Sequence, residues 1–309
     1  MAETDIPAFV LTNGAAYLHG GDELDKEGYW GAKTSSVNFC ERDYQYSLYV
    51  AEFWNALSSI WIVLLPLLGL LYSNPTGERR FKVAYMTLII VGLGSVTLHL
   101  TLAAIGQSFD ELPMLWMCAS IFYNLVDNDK NNKRGNTMAV AMFIFVLAQT
   151  LIYLKIQSLY EVFVTGYLTM VATIIFWTAR KAFWVHSKRT LRYLWLWSVG
   201  LYVAVGSWVW ILDMYYCKYY EIYYDMAFGI TFHILWHFAA GLATYLTIQQ
   251  LIFLRVVELG GTPELILKFY FLPTICITGK SKNRGKVASS EAEAATRTRR
   301  SKRLRTGNS

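Results

Sequence analysis

Three histidines lie inside apolar stretches of this chain: His99 in GLGSVTLHLTL, and His233 and His237 in TFHILWHFAAGLATYL. An ionisable side chain within a bilayer-spanning helix is costly and marks a functional site by default. His233 and His237 are four residues apart, so on a helix they project from one face. An imidazole from a second helix would complete three nitrogen ligands with one position open, the usual makeup of a catalytic zinc site. Zinc in such a site lowers the pKa of a bound water to about 7 and polarises a carbonyl. Cleaving an amide also needs a group that takes up a proton and returns it. Asp110 is the candidate for that role. Ser95, one turn before His99, offers a hydroxyl to the water or to the developing oxyanion. A single histidine in a membrane helix often serves only as an interhelical hydrogen-bonding residue, and Ser95, beside Gly92 and Gly94, can be a packing residue. Three histidines and an acid at one depth argue for a metal. The remaining histidines, His19 and His186, lie in polar stretches.

The elements that must hold these groups are membrane helices. Hydrophobic residues make up 55% of the 309 residues and charged residues only 16%, too apolar for an ordinary soluble domain. A bilayer-spanning helix needs about 20 mainly apolar residues. Seven stretches qualify, at roughly 49–73, 82–104, 111–127, 137–155, 158–179, 191–212 and 226–255. The expected fold is therefore an all-α seven-transmembrane-helix bundle at 38–255. It is flanked by a polar tail at 1–37 and a second tail at 256–309. The acidic N-terminus lacks a basic region ahead of an apolar core and does not read as a cleavable signal peptide. Residues 262–278, short and with two prolines, read as an interfacial segment rather than an eighth span. Residues 279–309 are basic, lack apolar periodicity and read as a disordered tail. On a membrane protein their charge points to cytosolic placement and anionic lipid, not nucleic acid.

Lysines and arginines in short loops set orientation. They gather after the first stretch (Arg79, Arg80, Lys82), the third (Lys130, Lys133, Arg134) and the fifth (Arg180, Lys181, Lys188, Arg189, Arg192). The alternate loops are nearly bare. This places the C-terminus in the cytosol and the N-terminus in the lumen. All three histidines then fall toward the lumenal ends of their helices, with Asp110 near that level at the start of the third. Cys40 and Cys217 both fall on lumenal segments, where disulfides persist, so theirs is the pairing that topology favours. Asn38, Glu41, Asp43 and Glu52 form a set of hard oxygen donors suited to calcium, although acids in loops commonly just face water.

The segments CERDYQYSLYVAEFWNALSSIWIVLLPLLGL, GLGSVTLHLTLAAIGQSFDELPMLW and HILWHFAAGLATYL resemble the alkaline ceramidases, over about residues 35–255. The resemblance implies a seven-helix intramembrane zinc amidase, in a superfamily shared with the adiponectin receptors. It implies zinc on His99, His233 and His237, with Asp110 as the water-activating acid and Ser95 beside it. It also implies calcium on Asn38, the carbonyl of Phe39, Glu41, Asp43 and Glu52, and a Cys40–Cys217 bridge. The family pattern has Asp-Trp where this chain has Asn38-Phe39, and Asn where it has Asp43. These exchanges keep the formal charge and an oxygen donor at each place. The implied reaction is calcium-stimulated hydrolysis of the N-acyl bond of ceramide within the bilayer of the endoplasmic reticulum or Golgi. Neighbouring lipids are the other partners expected, and no protein partner is implied. The reading from a different class is a seven-helix lipid-sensing receptor or scaffold with a structural zinc.

Overall fold

The computed structural model describes residues 11–12, 15–16, 27–127, 135–155, 160–186, 188–220, 223–224 and 226–278. The basic loop with Lys130, Lys133 and Arg134, His19, and the basic tail 279–309 lie outside the described residues. The chain is a helical membrane protein. Its long helices are α1 (Phe53–Tyr72), α2 (Arg79–Thr101), α3 (Ala104–Asp127), α4 (Gly135–Lys155) and α5 (Tyr160–Arg180). A bent rod follows, made of α6 (Arg189–Val199), a π-helical stretch at Gly200–Gly206 and α7 (Ser207–Tyr215). The short α8 (Cys217–Tyr220) leads toward α9 (His233–Glu258). Among the described residues five helical segments are long and apolar enough to cross a bilayer: α1, α2, Phe163–Val185, Arg189–Tyr215 and α9.

The ends differ from expectation in three places. α3 begins at Ala104, so Ala104 to Ser108 are helical rather than a turn, and Asp110 sits in the second turn. Gln107, Asp110 and Glu111 lower the hydropathy there, which makes the start of this helix look like a loop. α9 begins at His233, not near 226, because the backbone enters the left-handed region at Phe228 (φ 54°) and cannot continue a helix through it. Residues 262–278 form an antiparallel hairpin, β3 (Pro263–Lys268) with β4 (Leu272–Ile277), so the fold is not purely helical. Two further short strands, β1 (Leu11–Thr12) and β2 (Ala15–Ala16), pair near the N-terminus.

The hairpin closes one end of the bundle. Gln249 of α9 holds it: Nε2 donates to Tyr85 Oη at 2.7 Å, while Oε1 accepts from Ser73 Oγ at 2.7 Å and Ile275 N at 3.1 Å. Tyr245 Oη donates to the Pro273 carbonyl at 2.9 Å. α9 is the axial helix: 72% of its apolar window is buried, against 17% for Arg189–Tyr215. A histidine pair on α9 is thereby set in the middle of the protein.

Close approach of α1, α2 and α3 builds the rest of the site. A Cβ on Gly92 would lie 2.9 Å from the backbone of Ile62 and Val63 on α1. A Cβ on Gly94 would collide with the Phe109 carbonyl on α3. That carbonyl lacks its own helical donor, because Pro113 lies four residues on and has no N–H. Gly94 packs onto the freed carbonyl and so brings Asp110 beside Ser95. Gly94→Ala is expected to force α2 and α3 apart, at a cost of about 1–3 kcal/mol. The change should lower the thermal midpoint in detergent and displace Asp110. An unchanged midpoint would show that the contact carries no such constraint.

Candidate metal centre

His99 comes from the last turn of α2, and His233 and His237 from the first two turns of α9. Their ligand nitrogens lie within 4.8 Å of one another, and the rings are 4.6–5.1 Å apart between centroids. All three are buried. Among the described residues this is the cluster of histidine, cysteine or acidic side chains gathered closely enough to hold a metal ion.

Hydrogen-bond accounting fixes which nitrogens face inward. Glu52 Oε2 meets His99 Nδ1 at 2.5 Å. An ionised carboxylate only accepts, so Nδ1 carries the proton and Nε2 keeps its lone pair. That Nε2 is buried with no partner. Ser58 Oγ donates to the Asn55 carbonyl at 3.1 Å and meets His237 Nδ1 at 2.7 Å. Its one proton is engaged, so it accepts from His237 Nδ1, which leaves Nε2 as the lone-pair nitrogen. His233 Nδ1 is also buried and without a partner. Buried polar atoms are seldom left unmatched, and three imidazoles of this kind fit a metal with nitrogen preference.

The sequence reading missed the groups that orient these rings. Glu52 was expected on calcium. Here its carboxylate grips His99, accepts from Phe39 N at 3.2 Å and faces Asn55 Nδ2 at 3.3 Å. Ser58 and Ser59 gave no signal beyond small polar residues in an apolar helix. Asp213, an acid inside the apolar run SWVWILDMY, could have been noticed on the rule that put His99 forward. Its Oδ2 accepts from Cys40 N at 3.0 Å and its Oδ1 from His233 N at 3.1 Å, tying the N-terminal segment to the start of α9. The Cys40–Cys217 disulfide, with Cα atoms 5.2 Å apart, fastens the same corner.

Ser95 Oγ is 3.0 Å from Ser59 Oγ and 3.4 Å from His237 Nε2. Asp110 lies near enough for its carboxyl to interact with that hydroxyl. Ser95, Asp110, His233 and His237 together face a cavity of about 260 Å³, whose other walls include Val91, Leu98, Met114, Phe163 and Trp236. Polar chemistry is thus concentrated at one end of a greasy chamber. Phe39 stacks its ring on His233, with centroids 3.6 Å apart.

The expected calcium donors are not solvated loop acids: Asn38, Glu41, Asp43 and Glu52 are all buried. Glu41 caps α1, its oxygens accepting from Trp54 N at 2.7 Å and Asn55 N at 2.8 Å. Burial, and after it the Glu52 carboxylate, push the Glu41 carboxyl up to about 9 despite those donors. Asn38 Oδ1 and Asn55 Oδ1 are buried with no hydrogen-bond partner. Buried acids beside unmatched carbonyl oxygens are donors that a hard cation would satisfy. The acidic side chains are not drawn into a cluster as tight as that of the histidines.

A bundle of membrane helices whose core holds three imidazoles above an apolar cavity defines a class, the multi-helix membrane proteins with a buried metal-ligand centre. Comparison with known proteins narrows it. The model of the ceramidase family matches residues 31–276, so the chain belongs to that family, whose members are hydrolases. It is 30% identical over 268 residues to alkaline ceramidase 3 of Mus musculus, covering 84% of this chain and 98% of that protein. It is also 30% identical over 194 residues to the alkaline ceramidase of Arabidopsis thaliana, covering 62% and 73%. To alkaline ceramidase YPC1 of Saccharomyces cerevisiae it is 27% identical over 214 residues, covering 64% and 67%.

Proposed function

We propose that this protein hydrolyses the N-acyl amide bond of ceramide, with zinc held by His99, His233 and His237. The observation that carries this reading is the unmatched His99 Nε2, set in a three-histidine cluster that opens onto the same apolar cavity as Asp110. Zinc bound there would supply a Lewis acid for the amide carbonyl and a more acidic water. Asp110 takes the proton of the attacking water and delivers it to the departing amine, so the products are a fatty acid and a sphingoid base. Ser95 orients Asp110 and offers its hydroxyl to the oxyanion. The apolar walls bind hydrocarbon and keep bulk water away.

Calcium is assigned to Asn38, the Phe39 carbonyl, Glu41, Asp43 and Glu52. The burial of these donors supports this, as do the unmatched Asn38 oxygen and the accumulation of acids beside α1. The bundle is read as seven spans, α3 and α4 included, with the N-terminus lumenal and the C-terminus cytosolic. Basic residues at Arg79, Arg80, Lys82, Arg180, Lys181, Lys188 and Arg189 support that orientation, as does a disulfide on the side of the histidines. The endoplasmic reticulum or Golgi is the membrane proposed.

The test is hydrolysis of a ceramide panel by purified protein, before and after zinc chelation. Release of sphingoid base that chelation stops and zinc restores is the expected result. Failure to cleave any ceramide would reject the substrate, and chelator-resistant cleavage would reject the metal. A calcium-specific chelator should lower the rate without removing zinc, and indifference to it would return the acidic cluster to a purely structural role.

A further inference from the structure

Beneath the cavity at the histidines lies a second, smaller chamber of about 50 Å³, lined by residues such as Cys118, Ile121, Val171, Thr178 and Ser198. The two chambers share four lining residues, one from each surrounding rod: Met117 of α3, Tyr167 of α5, Tyr202 of the π-helical stretch and Thr244 of α9. On every element the deeper residues lie farther from the histidines. Ile121 follows Asp110 on α3, Thr247 follows His237 on α9, and Ser198 precedes Trp210 on the bent rod. Thr244 is seven residues beyond His237, about 10 Å along the α9 axis at 1.5 Å per residue.

The shared residues are not inert wall. Tyr167 Oη and Tyr202 Oη hydrogen-bond to each other across the bundle. Tyr167 stacks on Phe163, and Tyr202 abuts Trp236 edge to face, with centroids 5.9 Å and 5.5 Å apart. Phe163 and Trp236 both line the upper cavity, so whatever fills it presses on the tyrosine pair. The π-helical stretch explains how Tyr202 reaches this place. Ser207 N donates to the Tyr202 carbonyl, a five-residue turn. In an α-helix residues five apart diverge by about 140°. The wider turn keeps Tyr202 and Ser207 on the cavity face together, and π turns of this kind are frequent at functional sites.

We propose that the Tyr167–Tyr202 pair is a partition that sets how long an N-acyl chain the protein accepts. This rests on the ceramide reading above. The acyl chain continues directly from the carbonyl that must meet the histidines, whereas the sphingoid chain begins beyond the amide nitrogen. An acyl chain running down from the metal reaches the partition after about 10 Å. A longer one must part the hydroxyls and enter the lower chamber. Tyr167 and Tyr202 are therefore specificity-determining residues, distinct from the groups that move protons.

The experiment measures kcat/KM for octanoyl, palmitoyl and lignoceroyl ceramides of one sphingoid base, with wild type, Tyr167→Phe, Tyr202→Phe and Thr178→Leu. Removing one hydroxyl removes a hydrogen bond of ordinary strength, so each phenylalanine variant should raise the lignoceroyl-to-octanoyl ratio about threefold to tenfold. Thr178→Leu, which crowds the lower chamber, should lower it. A companion series varies the sphingoid-chain length at fixed acyl length, and there the variants should discriminate among the substrates as the wild type does. A ratio that ignores the tyrosines, or that follows sphingoid length instead, overturns the proposal while the ceramide reading stands. A protein that cleaves ceramide of no length removes both.

Discussion

Alanine at His99, His233 or His237 is expected to abolish turnover and bring bound metal down to background. The three nitrogens share one small volume, so no two of them leave a complete site. Buried imidazoles without a metal are also poorly matched, as His99 Nε2 and His233 Nδ1 show. Metal analysis of each purified variant, set beside its activity, checks this. Full metal occupancy in the His233→Ala/His237→Ala double variant would move the metal elsewhere. Glu52→Gln gives the graded counterpart. It keeps shape but replaces the carboxylate that fixes the His99 tautomer at 2.5 Å. Loss of such an orienting partner costs about 10–100-fold in metal affinity or activity. Glu52 is therefore a poor site for isolating any calcium effect, since it also orients a histidine. Asn38→Ala is the cleaner probe, because Asn38 Oδ1 makes no hydrogen bond that the change would break.

How far the sequence foretold this arrangement depends on the range of the interaction. The i, i+4 spacing of His233 and His237 is local and translates directly into a shared helix face. Loop charge and helix order then carry His99 to the same depth, so the histidine cluster is foreseeable. The Glu52–His99 contact spans 47 residues and leaves no local trace. Ser58 and Ser59 look like any small hydroxyl residues in a membrane helix, and only the packing of α1 on α9 turns Ser58 toward His237. The start of α3 was hidden by its function. Polar residues that serve the cavity are also those that depress hydropathy. Gly94 and Pro113 were visible separately, but their joint effect appears only when the carbonyl that Pro113 leaves without a donor is found against Gly94. The hairpin was obscured because PELILK and LPTICI have no strict alternation. Leu272 and Ile275, three apart in β4 and therefore on opposite faces, are both buried, and the turn residue Tyr270 is 98% exposed.

Asp110→Asn is expected to cut turnover by at least about 10²-fold, the scale of a lost general base, while metal content stays that of the wild type. The amide is nearly the shape of the carboxylate and keeps a carbonyl oxygen for Ser95, so the α2–α3 contact at Gly94 should survive. It has no basic oxygen to take up a proton, and the cavity offers few replacements. Glu111 also lines it, but Glu111 Oε1 accepts from Gln107 Nε2 at 2.9 Å and its Oε2 accepts from Tyr153 Oη at 2.5 Å. Those bonds tie its carboxyl to α4, away from Ser95. Ser95→Ala should cost less, because a metal held by the three histidines would itself stabilise the oxyanion. Comparison with Gly94→Ala separates the two ways of losing Asp110. The asparagine removes the proton acceptor and leaves the thermal midpoint in place, whereas the glycine variant keeps the acceptor and moves it. Near-normal turnover in Asp110→Asn would remove this residue from the reaction and direct attention to Glu111, the other carboxylate that opens on the cavity.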